Sequence, residues 1–279
     1  MQMPLEGRIA LVTGAGSGIG RALAAELSRR GAFVFLAGRR RDPLEETRRQ
    51  LVNPDQCEIV VADVTRPEDR DRIIEAVRAK GRLDLLFNNA GTIAAASLAM
   101  TDDARLEALL ATNVAAPFAL CRDLLPLLHA APKPRIVNIG SMFGDIAFPQ
   151  FSAYSATKFA LRGLSNALRA ELAPAGIGVT YAAPRAARTG ALPEFEHLVG
   201  PLRLRLDEPD TVARRIVVAA ERGRRSVYPA GPERFFVLLS RLAPGLVERS
   251  LSRQMAAADP ARGRVVSPGV GAGPVRGAK

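Results

Sequence analysis

An eight-residue turn, Thr13-Gly-Ala-Gly-Ser-Gly-Ile-Gly20, does most to limit what this chain can become. It stands between an apolar run, Arg8-Ile-Ala-Leu-Val-Thr13, and an amphipathic stretch that reaches Arg30. Glycines permit positive φ and let a backbone approach a diphosphate closely. The exposed amides and dipole of a helix N-terminus favour negative charge at the same place. Glycines also serve ordinary tight turns, so it is the setting between strand and helix that points to a dinucleotide.

The same alternation continues along the chain. Phe33-Val-Phe-Leu-Ala37, Glu58-Ile-Val-Val-Ala62, Asp84-Leu-Leu-Phe-Asn88, Arg135-Ile-Val-Asn-Ile139, Gly178-Val-Thr-Tyr-Ala182 and Ser226-Val-Tyr228 read as further strands, with helical patterns in the gaps. Pro209 can open one of those helices, through Val212 to Arg222, because its missing amide would be unpaired there anyway. Seven short strands with intervening helices predict an α/β fold: a Rossmann-type, doubly wound, seven-stranded parallel sheet with helices on both faces. The near-continuous apolar strands fit burial on both sides. With 48% hydrophobic and only 5% aromatic residues, the core is expected to be built from Ala, Val, Leu and Ile. The domain reading is a catalytic unit over 1–231, an amphipathic helical extension over 232–258, and a tail over 259–279. The tail is expected to be disordered, because Pro260 to Lys279 lacks apolar periodicity.

Bulk properties exclude several classes. Cys57 and Cys121 lie far apart with no acidic or histidine cluster at ligand spacing, so no metal site is expected and a reduced, cytoplasmic setting follows. The N-terminal residues lack an apolar signal core, and no run approaches the roughly 20 apolar residues that span a bilayer. The net charge is +11, and from Arg222 to Lys279 eleven Arg or Lys stand against three acids, Glu233, Glu248 and Asp259. That excess suits either an anionic partner or a compositional bias. No nucleic-acid recognition motif or aromatic stacking platform accompanies it, so no nucleic acid is expected.

At the end of the second strand, where many NAD-binding sheets carry an acid for the ribose hydroxyls, this chain has Gly38-Arg39-Arg40. An acid would repel a 2′-phosphate, whereas a guanidinium offers it forked donors. Arg39, with Ser17 nearby, therefore favours NADP(H) over NAD(H). Arg40 and Arg41 read as a solvated loop face.

Thr13, Gly14, Gly18 and Gly20 spell Thr-Gly-x-x-x-Gly-x-Gly, Asn88-Asn-Ala-Gly91 follows the fourth strand, and Asn113, Ser141 and Tyr154-Ser-Ala-Thr-Lys158 come in fixed order. In these motifs the chain resembles the single-domain short-chain dehydrogenase/reductases, over about Gly7 to Gly231. The resemblance implies a catalytic tetrad of Asn113, Ser141, Tyr154 and Lys158. It implies a cofactor site of Gly14, Ser17, Gly18, Ile19, Gly20, Arg39, Asp63, Val64, Asn89, Ala90, Gly91, Pro184 and Thr189, shared with Tyr154 and Lys158. In that scheme Asp63 and Val64 lie by the adenine, Lys158 holds the nicotinamide ribose, and Asn113 anchors a water leading protons toward Lys158. A homodimer or homotetramer is implied as well.

Tyr154 and Lys158 stand four apart on an expected helix and so share a face. A nearby ammonium favours phenolate, which is expected to lower the tyrosine toward working pH. Tyr154 then serves as general acid in carbonyl reduction or general base in alcohol oxidation, with Ser141 hydrogen-bonding the substrate oxygen. The expected activity is hydride transfer between NADP(H) and a small-molecule carbonyl or alcohol. The alternative is a catalytically silent nucleotide-binding regulator or scaffold.

One departure stands out. Where the family shows Pro-Gly, this chain has Pro184-Arg185, so the backbone at Arg185 must adopt a conformation that an L-residue tolerates or accept strain. Arg185 and Arg188 either face solvent or receive an anionic group. Leu192, Phe195, Leu198, Val199, Leu202 and Leu204 give the 190–206 segment an apolar side. They suit a hydrophobic, lipid-like substrate or simply pack on the domain. His129 and His197 lack partners at catalytic spacing and read as structural. The 232–258 extension reads as two short amphipathic helices broken at Pro244-Gly245. They are suited to capping the pocket, to a subunit contact, or to peripheral contact with an anionic membrane.

Overall fold

The computed structural model describes residues 5–200, 204–231 and 233–258. The expected tail, 259–279, and Leu202 of the apolar segment lie outside the described residues. Seven strands form one sheet: β1 Ile9–Thr13, β2 Phe33–Gly38, β3 Cys57–Val61, β4 Leu85–Asn88, β5 Arg135–Ile139, β6 Gly178–Ala182 and β7 Ser226–Val227. Their order is β3-β2-β1-β4-β5-β6-β7 and every neighbouring pair is parallel. The helices are α1 Gly18–Arg29, α2 Arg41–Arg49, α3 Pro67–Arg78, α4 Asp103–Leu110, α5 Ala116–Asp123, α6 Leu125–His129, α7 Ser152–Glu171, α8 Glu196–Val199, α9 Pro209–Glu221, α10 Glu233–Leu242 and α11 Pro244–Ala258.

Period-two alternation within the strands builds two cores. Ala10 and Val12 of β1, with Val34, Leu36, Leu85 and Phe87, pack under Leu23 and Leu27 of α1 and Ile216 and Val217 of α9. Ile9 and Leu11, with Phe35, Leu86 and Ile136, face Ile73 and Val77 of α3, Leu120 of α5 and Leu168 of α7. This is the arrangement that strands apolar on both sides require, and each fully buried Leu or Val stabilises it by roughly 1.5–3 kcal/mol. β4 begins one residue later than the sequence pattern suggests. The buried Asp84 carboxylate instead receives Arg8 at 2.6 Å, Arg82 at 3.0 Å and the Ile9 amide at 3.0 Å, joining the starts of β1 and β4.

The chain runs from β1 outward to β3 and returns to β4 on the other side of β1. The loops leaving β1 and β4 therefore diverge, which opens a crevice at the carboxyl ends of the strands.

The Asp103–Asp123 helix departs from the sequence expectation: it is long and apolar enough, by length and composition, to cross a membrane. It combines α4, a π-turn at Ala111–Ala115 and α5. Its burial of Asn113, Ala116 and Leu120 against the sheet and α7 identifies it as a helix of the domain.

Candidate active site

The glycine turn is held from behind by the end of β4. The Thr13 hydroxyl accepts hydrogen bonds from the amides of Asn89, at 3.0 Å, and Ala90, at 2.9 Å. The Asn89 amide group returns one to the Thr13 carbonyl at 2.9 Å. Asn89 is thus a brace for the turn. Gly18 has φ +53, and a Cβ there would stand 2.8 Å from Thr189 Cγ2, so both conformation and space demand glycine. Gly14 has φ +65, with Ala90 and Asn89 at 3.0 Å from where its Cβ would be. Ser17 occupies the N-cap of α1, yet its side chain makes no capping bond. The amides of the first turn are left to whatever enters the cleft, a donor set suited to a diphosphate.

One cleft of about 1150 Å³ runs from this turn to the C-terminal helices. Its nucleotide end is lined by Gly14, Ser17, Gly18, Ile19, Gly20, Arg39, Asp63, Val64, Asn89, Ala90 and Gly91, with Pro184 and Thr189 across from the turn. Arg39 is exposed at the end of β2, whereas Arg40 and Arg41 stand outside the lining, Arg41 near Glu45 at 3.6 Å. Burial alone would raise the Asp63 carboxyl. The amide and hydroxyl of Thr65, aided by the charges of Arg39 and Arg66, outweigh it and hold Asp63 below the usual carboxylate range. The volume, the free amides and the space reserved by Gly14 and Gly18 fit a dinucleotide.

Ser141, Tyr154 and Lys158 line the middle of the cleft, and Asn113 is buried beside them, behind Gly91. Lys158 is buried and its Nζ donates to the Ile139 carbonyl at 3.1 Å, 5.6 Å from the centroid of the Tyr154 ring. Asn113 sits in the π-turn, a distortion frequent at functional sites. Its Oδ1 accepts from the Thr92 amide at 2.9 Å, and its Nδ2 donates to the Thr92 carbonyl at 2.9 Å and to Thr157 at 3.1 Å. A Cβ at Gly91 would lie 3.2 Å from Asn113 Oδ1 and 3.6 Å from Lys158 Nζ, so Gly91 keeps this corner open. Ser141 follows β5. Its Oγ accepts from the Phe143 amide at 3.1 Å, which leaves the hydroxyl proton free to donate.

The proton energetics correct the sequence expectation. Burial pushes the Tyr154 phenol up to about 12, with the Ser141 side chain acting the other way. Burial also pushes the Lys158 ammonium down, to about 8. The expected lowering of the tyrosine by its neighbouring lysine loses to desolvation, because Phe143 and Phe151 stand edge-on to Tyr154 with ring centroids 6.1 and 6.4 Å away.

The Arg185 backbone is not in the left-handed region, since Gln150 is the only non-glycine there among the described residues. Its side chain is neither solvent-facing nor free for an anion. It pairs with Asp207 at 2.9 Å and with Glu233 at the start of α10. Arg188 pairs with Glu208 at 3.1 Å. The apolar segment packs in a cluster of Phe151, Phe195 and Leu198, joined by Ile93, Phe143, Phe148, Tyr154, Leu192, Val199 and Leu204. Phe195 and Leu204 also line the cleft, as do Phe236, Leu239, Leu246, Val247 and Leu251 of α10 and α11. His129 and His197 are exposed, outside this lining. No group of three or more metal-ligating side chains occurs among the described residues.

Several site residues escape a reading from the sequence. Tyr181 braces the Ser141 loop, its hydroxyl donating to the Ser141 carbonyl at 3.2 Å and its ring occupying the space where side chains at Gly140 and Gly144 would be. Burial raises the Tyr181 phenol well above its ordinary range. Asn88 donates to Asn138 at 2.8 Å and Asn138 to Ser165 at 2.9 Å, an amide ladder under the site. Phe143, Phe148 and Ile93 supply much of the apolar wall. The spacing of the two glycines flanking Ser141 is the one sequence signal that could have pointed to Tyr181.

Residues 8–197 match the family model for short chain dehydrogenase. A 3-ketodihydrosphingosine reductase of Mus musculus is 31% identical over 235 residues, 79% of this chain and 70% of its own length. A short-chain dehydrogenase from Streptomyces avermitilis superposes with a TM-score of 0.76 at 34% identity, covering 89% of this chain and 98% of that one. Two further solved structures hold different nucleotides. A 3-ketoacyl-(acyl-carrier-protein) reductase from Brucella melitensis, complexed with NADH, has TM-score 0.72 and 29% identity over 77% of this chain and 91% of its own. A metagenomic short-chain oxidoreductase in complex with NADP has TM-score 0.67 and 31% identity over 78% and 92%.

Proposed function

The chain belongs to the short-chain dehydrogenase/reductases and is an oxidoreductase of that family, and from this premise we propose that it reduces the carbonyl of an apolar, acyl-chain substrate with NADPH. The observation that carries the proposal is the placing of Tyr154. It is a half-buried phenol in the same cleft as the glycine turn, beside Ser141 and Lys158 and at the foot of an apolar wall.

Bound nicotinamide supplies the hydride. The Ser141 hydroxyl donates a hydrogen bond to the substrate oxygen, where negative charge develops as the carbon is reduced. Tyr154 gives its proton to that oxygen, which completes the alcohol. The resulting phenolate is stabilised by the Lys158 ammonium, the nearest cation, and Lys158 is itself poised near pH 8 to release a proton. Asn113 fixes the π-turn and the Thr92 backbone beside them. Arg39, exposed at the adenosine end, supplies the donors that favour a 2′-phosphate over a bare ribose. Support for an acyl-chain substrate comes from the Phe148, Phe195 and Leu239 lining and from the substrates named for the mouse and Brucella relatives.

NADPH oxidation with 3-oxoacyl thioesters and long-chain ketones tests this reading. Turnover that falls by about 10²–10⁴ in Tyr154→Phe, with NADPH affinity retained, supports it. Nucleotide binding without turnover on any carbonyl returns the silent scaffold.

The active form is a homodimer or homotetramer. Leu106, Leu110 and Phe118 on the 103–123 helix and Phe159 on α7 are exposed apolar residues on packed helices. Phe118→Asp should halve the mass seen by sedimentation; an unchanged mass places the interface elsewhere. The protein acts in the cytoplasm, a reading supported by its two free cysteines, of which Cys121 is buried with its thiol pushed up to about 12.

A further inference from the structure

α10 is fixed in place at both ends. Glu233 pairs with Arg185 in the loop after β6, and Arg241 reaches Asp145, at 2.9 Å, in the loop that carries Ser141. Arg162 of α7 holds the same Asp145 at 3.0 Å, and Tyr228 donates to it at 3.1 Å. Between the two anchors, Val237 is buried against Met142, Ile146 and Tyr181. The orientation of this helix is therefore set by the domain.

Its outward face is apolar. Phe235, Leu238 and Leu242 follow i, i+3, i+7 spacing and are 63%, 52% and 76% exposed. One step round the same helix, Phe236 and Leu239 line the cleft, and Leu246 at the start of α11 is both exposed and part of that lining. The apolar ridge thus runs without a break into the mouth of the substrate cleft. α11 adds charge at the same spacing: Arg249 and Arg253 follow Leu246 at i+3 and i+7, are exposed, and make no ion pair among the described residues. An apolar ridge beside exposed guanidinium groups matches the two layers of an anionic membrane surface, acyl chains within and phosphates outside.

We propose that the outer face of α10 and α11 docks on an anionic phospholipid bilayer, with Phe235, Leu238 and Leu242 inserted and Arg249 and Arg253 on the headgroups. The cleft mouth then opens at the membrane surface. The docking stands without the acyl-chain reading. Only its consequence, entry of substrate from the bilayer, rests on it.

Full-length protein is floated with vesicles of phosphatidylcholine alone and of phosphatidylcholine mixed with phosphatidylglycerol. Binding to the mixed vesicles, weakened by high salt and at least about tenfold stronger than to phosphatidylcholine alone, is expected from two cations worth about 1 kcal/mol each at such a surface. Arg249→Glu/Arg253→Glu should remove that preference. Leu238→Glu/Leu242→Glu should lose vesicle binding while keeping NADPH affinity, which reports folding. Protein that stays in the soluble fraction with both vesicles overturns the proposal, and so does equal binding to both. Undiminished flotation of Leu238→Glu/Leu242→Glu places the contact elsewhere on the chain. A fall in the sedimentation mass of that variant assigns the ridge to a second copy. Carbonyl reduction on a water-soluble substrate is scored separately, so failure of docking and failure of the proposed activity give different results.

Discussion

Replacing Lys158 by Met should make the nucleotide-free protein more stable at pH 7 while abolishing its chemistry. Burial drives the lysine from 10.5 to about 8, and at about 1.4 kcal/mol per pH unit the charged form costs the fold roughly 3 kcal/mol. Methionine is close in volume and carries no charge. The variant loses the bond from Nζ to the Ile139 carbonyl, about 1 kcal/mol, leaving a net gain of about 2 kcal/mol. The pH dependence fixes the cause. Below pH 8 both folded and unfolded chains hold the proton and the full penalty applies. Between about 8 and 10.5 the unfolded chain binds more protons than the folded one, so wild-type stability rises with pH relative to the variant. By pH 10 less than about 1 kcal/mol of penalty remains and the two proteins should be equally stable. Urea titrations of both at pH 7 and pH 10 measure the difference, in which all other titrations cancel. A variant less stable than wild type at pH 7, or a difference that stays constant across the range, would show that Lys158 is not held charged against burial.

Two further changes test the nucleotide end. Arg39→Ala should raise the KM for NADPH about ten- to a hundredfold relative to NADH, from about 1.5–3 kcal/mol for a charge-assisted hydrogen bond; equal effects on both nucleotides would make Arg39 a bystander. Gly18→Ala, at φ +53 and against Thr189, should cost about 1–2 kcal/mol in stability for the backbone alone and weaken nucleotide binding. An unchanged melting temperature and affinity in that variant would refute the close packing of the turn on Thr189.

Local signals account for what could be read in the sequence. The strands were legible because burial on both faces leaves an apolar run in the chain itself, as in β1 and β5. The glycine turn was legible because positive φ and close approach exclude other residues. Tyr154 and Lys158 were legible because one helical turn brings them to one face. Their proton equilibria were not, since Phe143 reaches the phenol from the loop after β5 and desolvation has no mark in the spacing. Nor was the role of Asp84 legible at the start of β4, since its carboxylate takes its partner from Arg8, 76 positions away.

Arg185 shows most clearly how distant partners change the meaning of a residue. Read locally, an arginine where the related motif has glycine implies strain or a loose cation. In the fold its guanidinium joins Asp207, at the base of the substrate-covering segment, to Glu233 at the head of α10, with its side chain only 15% exposed. A buried pair of this kind adds little net stability over apolar packing, but losing one partner leaves an uncompensated charge. Its value here is geometric. The same short loop that sets Pro184 against the Ser141 strand, through the Met142 amide at 2.9 Å, also fixes the helix that walls the cleft. Seating of the C-terminal helices is thereby linked to the position of Ser141. A glycine could not make that connection, so the substitution is the means by which this chain attaches its extension to its active site.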